Sequence, residues 1–200
     1  PILRACVEEA QEGTFGVGGG GAHATVGVFW DYLSLPQRHV DGTDDRSAAE
    51  RARFDQGLAQ MAGLYAHPFT LVLSARIPIP DGDYGSTRPY EKRGWCHFEL
   101  RTASIVKAAG CLWDLSLHKE GKATYWAECR QDLKSSRPAL TSPEQMATEL
   151  HEGVASGEIG FTSGADADVV IGLYAKGFVG AFNTVKQYGV NVIFYNDLGW

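Results

Sequence analysis

The stretch Arg93-Gly94-Trp95-Cys96-His97-Phe98-Glu99-Leu100 places an indole, a thiol, an imidazole, a phenyl ring and a carboxylate within five consecutive positions. On a helix, Glu99 lies one turn after Trp95. A purely structural helix seldom mixes these groups, because polar side chains would be buried beside large apolar ones. The octet therefore predicts a site or an interface, and Glu99 is its candidate chemical group. An ordinary reading stands beside it, in which Glu99 is stabilised by the helix dipole or paired with Arg93 or Arg101. Cys96 would sit near a helix N-terminus, where thiols ionise more easily, but no paired base is evident in the sequence. His97 has no neighbouring second ligand or nucleophile and reads as a solvated or capping histidine. Trp95 and Phe98 read as core or interface anchors.

The elements that must hold this octet alternate along the chain. Thr25-Val26-Gly27-Val28-Phe29-Trp30 is short, β-branched and continuously apolar, which predicts a strand buried on both faces. Asp31 and Ser34 would then lie beyond its carboxyl end, where open parallel sheets form their ligand crevice. Ser47 and Glu50 are spaced as a capping box, followed by Phe54, Leu58, Met61, Ala62 and Tyr65 on one helical face. A second strand is expected over 69–73, a helix from Trp95 to about Ala108, and a third strand over 111–115. Ser142, Pro143 and Gln145 mark another helix start. A further helix is expected from about Asp166 to Gly189, and a last strand over 191–195. Ile2 to Glu12 has helical composition, and the glycine-rich 13–21 that follows reads as a loop. Gly16, Gly18 and Gly21 match G-x-G-x-x-G formally, but they follow a helix where a phosphate cradle must follow a strand. No internal repeat is present.

Composition narrows the function classes. The chain has 200 residues, 44% of them hydrophobic, enough for one domain with a sizeable core. Its net charge of -6 and its scattered basic residues argue against a non-specific nucleic-acid binder. No apolar run approaches the roughly 20 residues that cross a bilayer. Cysteines 6, 96, 111 and 129 show no zinc-site spacing, which predicts free thiols in a reducing intracellular compartment and no metal site. The order of elements predicts an α/β fold with a largely parallel sheet.

The order of strand, Asp31, helix, strand, loop and then Trp95-Cys96-x-x-Glu99-Leu100 resembles the TIR domain family. It is most similar to a protist and algal TIR-like group, through Phe29-Trp30-Asp31-Tyr32-x-Ser34-Leu35-Pro36-Gln37 and Tyr90-x-x-Arg93-Gly94-Trp95-Cys96-x-Phe98-Glu99. Phe161-Thr162-Ser163-Gly164-Ala165-Asp166 extends the similarity, which covers most of residues 25 to 190. The resemblance implies a flavodoxin-like three-layer fold. Its first strand is missing or atypical here, and a helical C-terminal extension follows from about residue 119. Residues 1–24 would be an N-terminal helix and glycine-rich loop, and 25–200 a single domain.

In TIR domains that cleave NAD, the glutamate of this element is catalytic, and that role falls on Glu99. Cleaving the bond between ribose and nicotinamide develops oxocarbenium character, which a carboxylate against the ribose stabilises. Trp95, Asp31 and Ser34 would line the NAD cleft. Other TIR domains keep the element for packing and assembly. The leading expectation is a protein-interaction or scaffold module, needing no cofactor, that associates with protein partners or itself. A start in mid-fold predicts a fragment or mature subunit whose missing strand a partner supplies. NAD hydrolysis is the alternative, with NAD as substrate.

Overall fold

A computed structural model describes residues 4, 27–39, 41–79, 87–119, 126–161, 163 and 165–187. The expected helix over 2–12, the glycine-rich loop and the strand over 191–195 lie outside the described residues. The chain divides into two compact units, one of residues 1–60 and 117–133, the other of residues 61–116 and 134–200.

In the first unit the expected strand is absent among the described residues. Residues 27–30 are irregular and lead into a one-turn helix α1, Asp31–Ser34. The physical reason lies in Ser34, whose hydroxyl accepts the Trp30 N–H at 2.8 Å while its own N–H donates to the Trp30 carbonyl. Both Trp30 backbone groups are thus engaged locally, away from any ladder. Nor is the run buried, since Val28 and Trp30 are 58% and 59% exposed. Asp31 therefore opens a helical turn and does not end a strand. Helix α2, Ala48–Ala66, begins as expected: Ser47 Oγ accepts from Glu50 N–H, and Glu50 Oε2 accepts from Ser47 N–H.

The second unit contains a two-stranded parallel sheet, β1 (Val72–Ser74) and β2 (Leu112–Asp114), with Leu73 opposite Trp113. Their connection carries helix α3, Gly94–Ala103, so the octet sits on the crossover of a βαβ unit. In the first unit, helix α4 spans Trp126–Asp132; the second continues with α5, Pro143–Ala155, and α6, Asp166–Gln187. The core of the second unit packs Phe98, Trp113, Met146, Leu150, Val170 and Tyr174. Gly177 on α6 meets Ala62 so closely that a Cβ there would lie 2.8 Å from the alanine methyl. The described residues are thus mixed α/β with a parallel strand pair.

Several boundaries shift for reasons of tertiary contact. β1 starts later than expected because 67–70 is held as a turn. Thr70 Oγ1 donates to the carbonyls of Leu64 and His67, and Lys107 Nζ donates to the carbonyls of His67 and Thr70. α3 stops at Ala103, not Ala108. Ser104 Oγ bonds back to the Leu100 carbonyl at 2.7 Å, and Arg137 takes the Ser104 carbonyl at 2.8 Å. β2 ends where Asp114 Oδ1 accepts the N–H and hydroxyl of Ser116. α5 confirms its start signals, with a full capping box between Ser142 and Gln145 and proline at the first position.

Lys107 is fully buried and binds only neutral oxygens, including Thr70 Oγ1 at 2.7 Å. Burial lowers its ammonium to about 8; Arg137 adds to the fall and Cys111 opposes it. A lysine lowered on folding contributes stability that is complete above its unfolded value of 10.5 and is lost as pH falls toward 8. Lys107→Met should therefore flatten the rise of stability between those pH values. At neutral pH it should cost about 1–3 kcal/mol through the freed carbonyls. Urea unfolding of both proteins across that pH range checks this.

Candidate functional site

Helix α3 starts against the segment that follows α5. Gly94 N–H donates to the Gly160 carbonyl at 2.9 Å, and Gly160 N–H donates to the Lys92 carbonyl at 2.9 Å. Gly94 is buried beside the Phe161 ring, where a Cβ would overlap the ring carbons. A Cβ on Gly160 would lie 2.7 Å from the Arg88 guanidinium, which itself donates to the carbonyls of Gly157 and Glu158. Lys92 and Glu158 add an exposed ion pair. Trp95 Nε1 donates to Asp166 Oδ2 at 3.0 Å, tying the octet to the first residue of α6. The octet thus meets Gly160, Phe161 and Asp166, far from it in sequence.

Within that contact the octet's groups point to different partners. Phe98 is fully buried, and its ring meets Trp95 edge-on at 6.1 Å. Glu99 is half-buried, and its Oε2 accepts from the Tyr90 hydroxyl at 3.2 Å. Burial pushes the Tyr90 phenol well above its usual range, and the Glu99 carboxylate adds to the rise, so Tyr90 stays a donor. Cys96 is half-buried nearby and also acts on the phenol. His97 faces the other way, toward Glu149 on α5.

The polar ends of the strands lie beside Tyr90. Arg76, just past β1, lies 3.7 Å from Asp114 Oδ2 and 3.8 Å from Glu91 Oε1, and donates to Ser135 Oγ at 2.9 Å. Arg76 and Asp114 side chains are only 11% and 10% exposed. Asp114 is the aspartate that ends a parallel strand here, the position expected for Asp31. Arg76, Asp114 and Glu91 were not singled out from the sequence. A strand-terminal aspartate was the available signal for Asp114, whereas nothing local marks Arg76 or Glu91.

Of the four expected site residues, Glu99 and Trp95 share α3, with Glu99 bound to Tyr90 and Trp95 bound to Asp166. Asp31 and Ser34 belong to the first unit, where the Ser34 hydroxyl accepts the Trp30 N–H. A pocket of about 130 Å³ in that unit is lined by His118, Lys119, Glu128 and Asp132 among others, and none of the four lines it. The described residues contain no group of three or more His, Cys, Asp or Glu able to hold a metal ion. No helix among them is long and apolar enough to cross a membrane.

No protein-family model, curated protein or solved structure matches this chain.

Gly94→Ala should lower stability by about 1–3 kcal/mol, since the new methyl overlaps the Phe161 ring. Phe161→Ala in the same chain should recover part of that loss. Denaturant unfolding of both single variants and the double variant measures the coupling.

Proposed function

We propose that this chain is a TIR-like protein-interaction module of flavodoxin-like architecture that works within a larger assembly or by self-association. One observation carries the reading. Val28, Trp30 and Leu33, within six residues of the first unit, are 58%, 59% and 72% exposed. Single exposed apolar residues are ordinary, but three in so short a segment offer unusual apolar surface, and tryptophan is a preferred interface anchor. Burying side chains of this size releases about 1.5–3 kcal/mol each. The octet supports the same reading from the other direction, because Phe98 is core, Trp95 is bound to Asp166 and Glu99 is bound to Tyr90.

A second reading, NAD cleavage with Glu99 as the catalytic carboxylate and NAD as substrate, has one observation in its favour. The half-buried Glu99 is bound to Tyr90, which lies near Arg76, and Arg76 reaches Asp114 at the carboxyl end of β2. Ligands of open α/β sheets collect at such strand ends. Within this reading the Tyr90 hydroxyl holds one carboxylate oxygen of Glu99.

Sedimentation velocity over a range of protein concentrations tests the interaction reading. Weight-average mass should rise with concentration for the unaltered chain and stay monomeric for Trp30→Ser/Leu33→Ser, with far-UV circular dichroism unchanged. Equal masses for the two proteins at every concentration would remove this segment from the proposal.

A further inference from the structure

Helices α3 and α5 both pack against α6. Between α3 and α5 runs a short polar bridge. Arg101 Nη2 donates to Glu149 Oε2 at 2.7 Å, and His97 Nε2 lies 3.7 Å from the same oxygen, beyond hydrogen-bond distance. The His97 side chain is only 16% exposed, and its Nε2 is buried without a hydrogen-bond partner. Nε2 thus faces a carboxylate oxygen that Arg101 already holds.

We propose that His97 is an acid-responsive latch on the α3–α5 bridge: neutral, it leaves Glu149 to Arg101; protonated at Nε2, it places a second buried cation on that one carboxylate. The groups around it are few. Arg101 comes from its own helix, Glu149 from α5, and the Glu91 carbonyl from the turn before α3. From α6 comes the neutral phenol of Tyr174, beside Arg101 and Glu149, its hydroxyl donating to the Thr141 carbonyl at 2.7 Å. Burial and the Arg101 charge oppose protonation, while Glu149 and the Glu91 carbonyl favour it, and the opposing pair prevails.

The sign follows from linkage. The folded protein binds this proton less readily than the unfolded chain does, so the stability His97 contributes is complete above the unfolded value of 6.5 and is lost as pH falls below it. The proton comes from solvent, and no covalent bond changes. Acidification therefore lowers the stability of the fold through this bridge, where a protonated His97 stands beside Arg101 on one carboxylate. This inference does not depend on the interaction reading.

Proton NMR of the full chain, following the His97 ring signal through a pH titration, tests the latch directly. The midpoint should lie below about 6.5, the ordinary histidine value, and Arg101→Gln should raise it by removing the nearest like charge. Thermal unfolding supplies the second readout. Between about pH 7 and about pH 5 the unaltered chain should lose several degrees more than His97→Gln. A His97 midpoint at or above the ordinary value would overturn the proposal, as would an acid slope in His97→Gln equal to that of the unaltered chain. Should His97→Gln not fold, the titrations of the unaltered chain and of Arg101→Gln decide the matter alone.

Discussion

The close approach of Gly94 to Gly160 and Phe161 is the constraint on which the octet's geometry depends. Only a residue without a side chain lets the backbone of α3 come within hydrogen-bond distance of the Gly160 carbonyl beside an aromatic ring. That approach fixes where the helix starts. From there the helical period places Phe98 inward, Trp95 toward Asp166, Glu99 toward Tyr90 and His97 toward Glu149. A chain of apolar and polar residues that looks crowded in sequence is thereby divided among several directions, and each group finds its own environment.

Long cationic side chains do comparable work elsewhere in the second unit. Lys107 holds the turn before β1 through carbonyl and hydroxyl oxygens of His67 and Thr70, and Arg137 stops α3 by taking the Ser104 carbonyl. Arg76 reaches from the end of β1 to Asp114, Glu91 and Ser135. These long side chains join segments that the two short strands do not. Each satisfies buried oxygens that would otherwise lose their hydrogen bonds with water.

Local signals explain which elements the sequence revealed. The starts of α2 and α5 were readable because a capping box is complete within four residues. The start of α6 was readable from its acidic first turn, although Asp166 also receives the Trp95 indole, a contact no local pattern announces. Ends were less legible. The start of β1 and the end of α3 depend on Lys107 and Arg137, which arrive from elsewhere in the chain. The run ending at Trp30 misled because apolar, β-branched composition describes a strand only if a neighbour pairs with it, and Ser34 engages the Trp30 backbone first. An aspartate does stand at the carboxyl end of a parallel strand, but it is Asp114 and not Asp31.

We propose a packing role for the octet, with contacts to other proteins made through exposed apolar residues. Its most direct test is NAD turnover by the purified chain, followed by release of nicotinamide at low and high protein concentration, beside Glu99→Ala. No release is expected from either protein at any concentration. Release by the unaltered chain that disappears in a folded Glu99→Ala variant would contradict the packing role and would establish Glu99 as catalytic.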